Sequence, residues 1–299
     1  MPRTSLIERG IPCPSMPPNF RCFRRLVGVA VLGLAGCVVS APPDNAALRS
    51  LTLALRSQPI VLLGEVHDSA VQHALRVRAL RALVGSGARP ALLMEQFDRE
   101  RQADLDRAVA QPGTTADEVI AAATPADASM QGWSWPLYRP YIALALEYRL
   151  PLVAANVSRV DTRRIAADGL AAHGFEARVP DDLAAGQARA IVESHCGLVD
   201  AGRAGGLVAA QVARDQFMAR AVEAHAARGA VLLAGNGHVR TDLGVPRWLA
   251  PATRARSVSI GMLEGTRTPG ASPYDTVVAT PAQRRPDPCE GLTMPGAGS

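Results

Sequence analysis

The sequence predicts a three-layer α/β/α domain on a mostly parallel sheet, with a helical insertion between two of its strands. Three observations carry that prediction. Short apolar runs recur without polar interruption, as strands covered on both faces require. Segments of helical periodicity separate them, which is the rhythm of βαβ units. Four of the runs end at a residue able to donate, accept or ligate, and a parallel sheet gathers such ends along one edge.

Taken in order, the chain opens with an address. Arg21, Arg24 and Arg25 precede an apolar run, Leu26 to Gly36, that falls well short of the about 20 residues a bilayer needs. The run ends Leu34-Ala35-Gly36-Cys37, the pattern of a bacterial lipobox. Residues 1–37 are therefore expected to be a lipoprotein signal, cut before Cys37, whose thiol then carries lipid. Val38 in place of Asp after that cysteine points to outer-membrane sorting, with the protein facing the periplasm. An ordinary signal with a chance cysteine is the plainer alternative, and a start at Met16 would give a signal of usual length. Residues 38–47 read as a tether.

Ile60 to Leu63 is the first strand and stops at Gly64-Glu65-Val66-His67-Asp68. The helix after it is expected to open on a Ser69/Gln72 capping box and to bury Val71, Leu75, Ala79, Ala82 and Leu83. A second strand, Pro90 to Met94, ends at Glu95, with Asp98 as N-cap of the polar helix that follows. A third, Leu150 to Ala155, ends at Asn156, and helical patterns fill about 160–228. The fourth, Ala230 to Ala234, ends at Gly235-Asn236-Gly237-His238. Runs at 257–262 and 274–280 complete a domain over 48–281, and residues 282–299 read as a disordered tail.

Charge excludes one class of partner. Of the formal +5, most lies in residues 1–37, which hold five Arg against one acid; the remainder has 27 Arg against 26 acids. No basic run with interleaved aromatics survives there, so no nucleic-acid partner is expected. Cys13 and Cys22 leave with the signal. Cys196 and Cys289 remain, and an oxidising compartment would permit a disulfide, although nothing in the sequence brings them together.

The four strand ends imply one crevice holding Glu65, His67, Glu95, Asn156, Asn236 and His238. Gly64, Gly235 and Gly237 would allow the backbone close approach there. Taken singly, polar residues at strand exits are ordinary, because the chain is returning to solvent. Four at equivalent places are a site.

The blocks LLGEVHD, LLMEQF, LVAANVSR, AAQVARDQFMA and LLAGNGHVRTDLGVPRWL, in order over about residues 45–280, resemble the ChaN family of haem-binding lipoproteins. That family lies in the Tiki/EreA-like superfamily, marked by paired G-x-x-H motifs, here Gly64 to His67 and Gly235 to His238. The resemblance implies an EreA/ChaN-like fold, a lipid anchor, and haem or iron acquisition at the bacterial envelope. The extended N-terminus has no counterpart in it.

Two chemistries suit the constellation. Haem needs an iron ligand, flat apolar walls and cations for its propionates. Five of the twelve aromatic residues, Trp133, Trp135, Tyr138, Tyr141 and Tyr148, fall within sixteen positions, with Arg139 among them. Trp133, Trp135 and Tyr138 are expected in a Pro-bounded loop at a pocket mouth, with Tyr138 the preferred ligand. Tyr141 and Tyr148, in helical phase, equally suit packing a helix onto the sheet. His195 is a second candidate ligand or an exposed loop residue. Of Arg214 and Asp215, which cannot share a helix face, one is expected to reach the crevice; His73, His173 and His225 read as surface residues. A homodimer burying the aromatic loops and an outer-membrane haem receptor would be the partners. The alternative is hydrolysis, with Glu65, His67, Glu95 and His238 as catalytic groups, or with His67, Glu95 and His238 holding a divalent ion and Glu65 as base. No G-x-S-x-G elbow or phosphate-binding glycine loop is present.

Overall fold

Successive side chains of a strand point to opposite faces, so an all-apolar strand must be covered twice. A computed structural model, which describes residues 43–124, 132–265, 272–287 and 289–290, shows how this is met. Strands β1 (Ile60–Leu63), β2 (Ala91–Asp98), β3 (Leu152–Asn156), β4 (Ala230–Leu233), β5 (Ser257–Glu264) and β6 (Thr276–Thr280) form one sheet in the order β3-β2-β4-β1-β5-β6. Every pairing is parallel. Val61, Leu63, Met94 and Ile260 pack under α1 (Pro43–Leu55), α2 (Ala70–Gly85), α3 (Gln102–Val109), α4 (Ala116–Ala123) and α5 (Trp135–Tyr148). Ile60, Leu62, Leu93 and Leu232 face the other way. The insertion between β3 and β4 consists of α6 (Arg159–Asp168), α7 (Asp181–Ser194) and α8 (Ala201–His225). It has a small core of its own around Ile165, Leu183 and Val212, while α8 covers the second face of the sheet through Met218 and Val222. The α/β/α expectation holds.

Several local expectations do not. Pro43 to Ala47, read as tether, already belong to α1. The lipobox, Cys37 and the rest of residues 1–42 lie outside the described residues. Ser69 precedes α2 without a side-chain cap, and the Gln72 side chain, the other half of the expected box, is used elsewhere: it accepts from Val66 N–H and donates to Met262 and Thr280. The buried stripe of α2 is rotated from the apolar one. Val71 and Ala82 are exposed, while Gln72, His73 and Arg76 are buried beside Leu75 and Ala79. Nor does Asp98 cap a helix; β2 runs through it, and a short 3-10 turn follows with no side-chain bond from Asp98. Proline misled the reading of 133–141: Pro136 lies in the first turn of α5, where a missing N–H is harmless, so Trp135 and Tyr138 are helical.

The Pro/Gly-rich tail is also partly tied down. Arg285 pairs with both Asp68 (Nε to Oδ2, 2.6 Å) and Glu264, and Cys289 is bonded to Cys196. Composition speaks for local propensity only; an ion-pair clamp and a covalent bond override it. Residues 291–299 lie outside the described residues.

Candidate functional site

Strand order assembles the site. β1 and β4 are neighbours with Leu63 opposite Leu233, so the two G-x-x-H motifs leave the sheet side by side. β2 flanks β4 with Met94 opposite Leu233, which sets Glu95 against Gly235, and β3 adds Asn156 at the edge. Gly235 lets the His67 ring lie close to the backbone. A Cβ there would lie 2.9 Å from Cε1 and Nε2 of His67, whose ring rests over this backbone.

The first motif builds a half-open histidine on a closed base. Glu65 is buried and receives three groups: Arg76 in an ion pair, the Tyr138 hydroxyl at 2.6 Å and His67 Nδ1 at 2.8 Å. With Nδ1 taken by the Glu65 carboxylate, Nε2 is the ring nitrogen without a protein hydrogen-bond partner among the described residues. The His67 side chain is 46% exposed and meets the edge of Trp133 with ring centroids 4.9 Å apart. Below it, His73 Nε2 donates to the His67 carbonyl at 2.9 Å and its Nδ1 lies 3.0 Å from the Tyr141 hydroxyl. His73 is thus no surface residue. Burial holds its pKa down and keeps it neutral.

The second motif builds a closed cation. His238 is buried, with Nδ1 2.6 Å from Asp215 and Nε2 3.4 Å from Glu95. Glu95 also accepts from Gly235 N–H at 2.7 Å. Burial alone would lower His238, but the two carboxylates raise it to about 10. Burial would raise Glu95, yet the His238 charge and bond, His67 and Gly235 N–H hold it at about 2. Burial lifts Asp215 to about 6 against the pull of His238.

The remaining expected residues divide. Asn156 lines a cleft of ≈ 240 Å³ beside Glu95, Trp133, Trp135 and Arg214. Asn236 does not face that cleft: its amide bonds to both N–H and C=O of Met262, standing in for a strand residue. Tyr138 lies in the core rather than at a mouth. Burial, with the Glu95 charge adding, pushes its phenol well above its ordinary value, so it stays a donor. Arg139 is exposed and paired with Asp117 at 2.8 Å. His195 ends α7, exposed, with its ring bonded to Ile191 C=O. The divalent-ion expectation for His67, Glu95 and His238 is not met. Among the described residues no three His, Cys, Asp or Glu groups are placed to hold a metal, because Glu95 and Asp215 are turned onto the two nitrogens of His238. Both Arg214 and Asp215 serve the site, one lining the cleft and one inside the network. Asp215 as a histidine partner was missed; its place one residue after Arg214 in a helix reveals no such role.

The site geometry can be set against known proteins. A family model described as haem-binding uptake, Tiki superfamily, ChaN matches residues 51–249. The chain belongs to the ChaN family. It therefore carries a domain of that haem-binding group. No curated protein matches it significantly. Among solved structures it is similar to ChaN of Campylobacter jejuni, a structure titled for cofacial haem binding. That likeness has a TM-score of 0.60 and 21% identity, over 75% of this chain and 87% of that one. An erythromycin esterase EreC mutant in its open conformation gives 0.44 and 16% over 73% and 76%. The type III effector HopBA1 gives 0.43 and 14% over 82% and 95%. At these identities the likenesses concern the fold alone.

Proposed function

We propose that this ChaN-family protein binds haem at the His67 crevice, from a lipid anchor at Cys37 in the outer membrane facing the periplasm, and serves haem or iron uptake. The observation that carries the reading is His67 itself. Among the described His, Tyr, Met and Cys side chains around the crevice it alone is half exposed, and its Nδ1 bond to Glu65 leaves Nε2 as the ligating atom. Trp133 and Trp135 supply flat apolar surface, so the donor set fits the group. Tyr138 then orients the base beneath His67 and does not ligate. The cleft is smaller than the about 300–1,000 Å³ of pockets that enclose a ligand, so a planar macrocycle would keep one face open. A second copy of the chain covering that face is the natural completion, with release to an outer-membrane receptor.

Hemin titrated into the full chain in detergent, with detergent alone as blank, should give a saturable Soret shift that His67→Ala removes. An unchanged spectrum in that variant sinks the ligand assignment. Lipid labelling of the chain that persists in Cys37→Ala sinks the anchor.

One observation favours a second reading. His67, with Glu65 at Nδ1 and no protein partner at Nε2, is placed as a general base toward water would be, as a hydrolase requires. Turnover of ester substrates, lost in His67→Ala and Glu65→Gln, would make this reading the function.

A further inference from the structure

The cleft beside His67 holds more hydrogen-bond donors than the protein satisfies. Gln96 is only 4% exposed, and although its amide lies beside the Tyr138 hydroxyl, neither Oε1 nor Nε2 has a hydrogen-bond partner. Trp135 Nε1 is buried and unpaired as well. Arg214 and Arg159 line the same cleft, and neither makes a hydrogen bond or ion pair among the described residues. Buried donors are nearly always paired, so the Gln96 amide and Trp135 Nε1 call for an acceptor from outside, with half-buried Arg214 and exposed Arg159 beside them to supply the charge.

The acids nearby do not fill that role. Glu95 is committed to Gly235 N–H and His238, and Asp98 accepts from Asn156 at 3.3 Å. Their field keeps Arg214 charged although burial lowers its pKa. These donors suit a compact planar anion: two oxygens for a guanidinium fork, next to an apolar aromatic wall.

We propose that Arg214, Arg159, Gln96 and Trp135 form a carboxylate-binding subsite, which takes the acid group of a ligand whose flat body lies against Trp133. For haem, the clamp rests on the binding reading above and would hold one propionate. A small free carboxylate would use the same donors.

The test separates the two sources. Hemin, hemin dimethyl ester and benzoate are titrated into the full chain and into Arg214→Gln, with melting curves to confirm that the variant is folded. Hemin should bind about 10- to 100-fold more tightly than its ester, and Arg214→Gln should erase that difference, as expected for the loss of one charge-assisted bond. Equal affinity for hemin and ester in the wild type overturns the clamp while leaving haem binding intact. If hemin does not bind but benzoate does, and Arg214→Gln weakens it at least tenfold, the clamp stands and the haem reading falls. If neither binds, the clamp is wrong. Should Arg214→Gln unfold, Gln96→Leu gives the same comparison with a smaller expected loss.

Discussion

The two G-x-x-H motifs leave neighbouring parallel strands at the same level, yet their histidines have opposite fates. His67 is half exposed, with one carboxylate at Nδ1 and no protein hydrogen-bond partner at Nε2 among the described residues. His238 is enclosed, with a carboxylate at each nitrogen, and is held as a cation. Four residues of identical pattern thus yield one histidine available to a ligand and one built into the framework. The difference comes from what packs on each. α8 brings Asp215 and Gln211 over His238, while no helix of the insertion bonds to His67, which keeps an open face beside Trp133.

The strongest way to break this contrast is to remove the charge partner of the buried histidine. Asp215→Ala should cost about 3–5 kcal/mol of folding stability, because it strands His238 opposite a single carboxylate. Thermal and denaturant unfolding measure it, and a loss below about 1 kcal/mol would mean that His238 is not the buried cation described.

pH tests the same network. The folded pKa of His238 is raised, so its contribution to stability is complete below about 6.5 and is lost as pH rises toward about 10. The folded pKa of Glu95 is lowered, so its contribution is complete above about 4.5 and is lost as pH falls toward about 2. Asp215, raised to about 6, adds to the loss on the rising side between its ordinary value and that figure. Melting temperature should therefore decline with rising pH through the neutral and alkaline range. His238→Gln should flatten that slope, and a slope unchanged in the variant would contradict the assignment.

Smaller effects sharpen the other side of the comparison. Tyr138→Phe removes a donor from buried Glu65 but leaves Arg76 and His67 on it, so about 1–3 kcal/mol should be lost. Hemin affinity should follow only as far as His67 is reoriented. A Tyr138→Phe protein of full stability with no hemin signal would return the iron to the phenol. Smallest of all, His67→Ala should change stability by less than about 1 kcal/mol, since its side chain is half exposed, while removing ligand binding. A large stability loss would make His67 as structural as His238.

Much of this was legible beforehand, for local reasons. The strands at 60–63, 91–98, 152–156 and 230–233 announce themselves by unbroken apolarity, and their polar terminations place Glu65, His67, Glu95 and His238 at one edge. Asp215 and His73 were not legible. His73 lies off the apolar stripe of its helix, Asp215 follows Arg214 with no local mark, and each is buried by residues far along the chain. Arg139 misled in the opposite sense: its aromatic neighbours in sequence turn inward on α5, while Arg139 itself points to Asp117.

The sequence by itself determined the α/β alternation, the strand ends and the family to which they belong, because periodicity, apolar runs and glycine placement are properties of adjacent residues. Tertiary structure alone decided which histidine is free and which is charged, and that Arg285 and Cys289 fasten a tail that composition describes as loose. It also decided which donors in the cleft are left without a partner. Burial, protonation and hydrogen-bond satisfaction depend on groups brought together across the fold, and no local pattern records them.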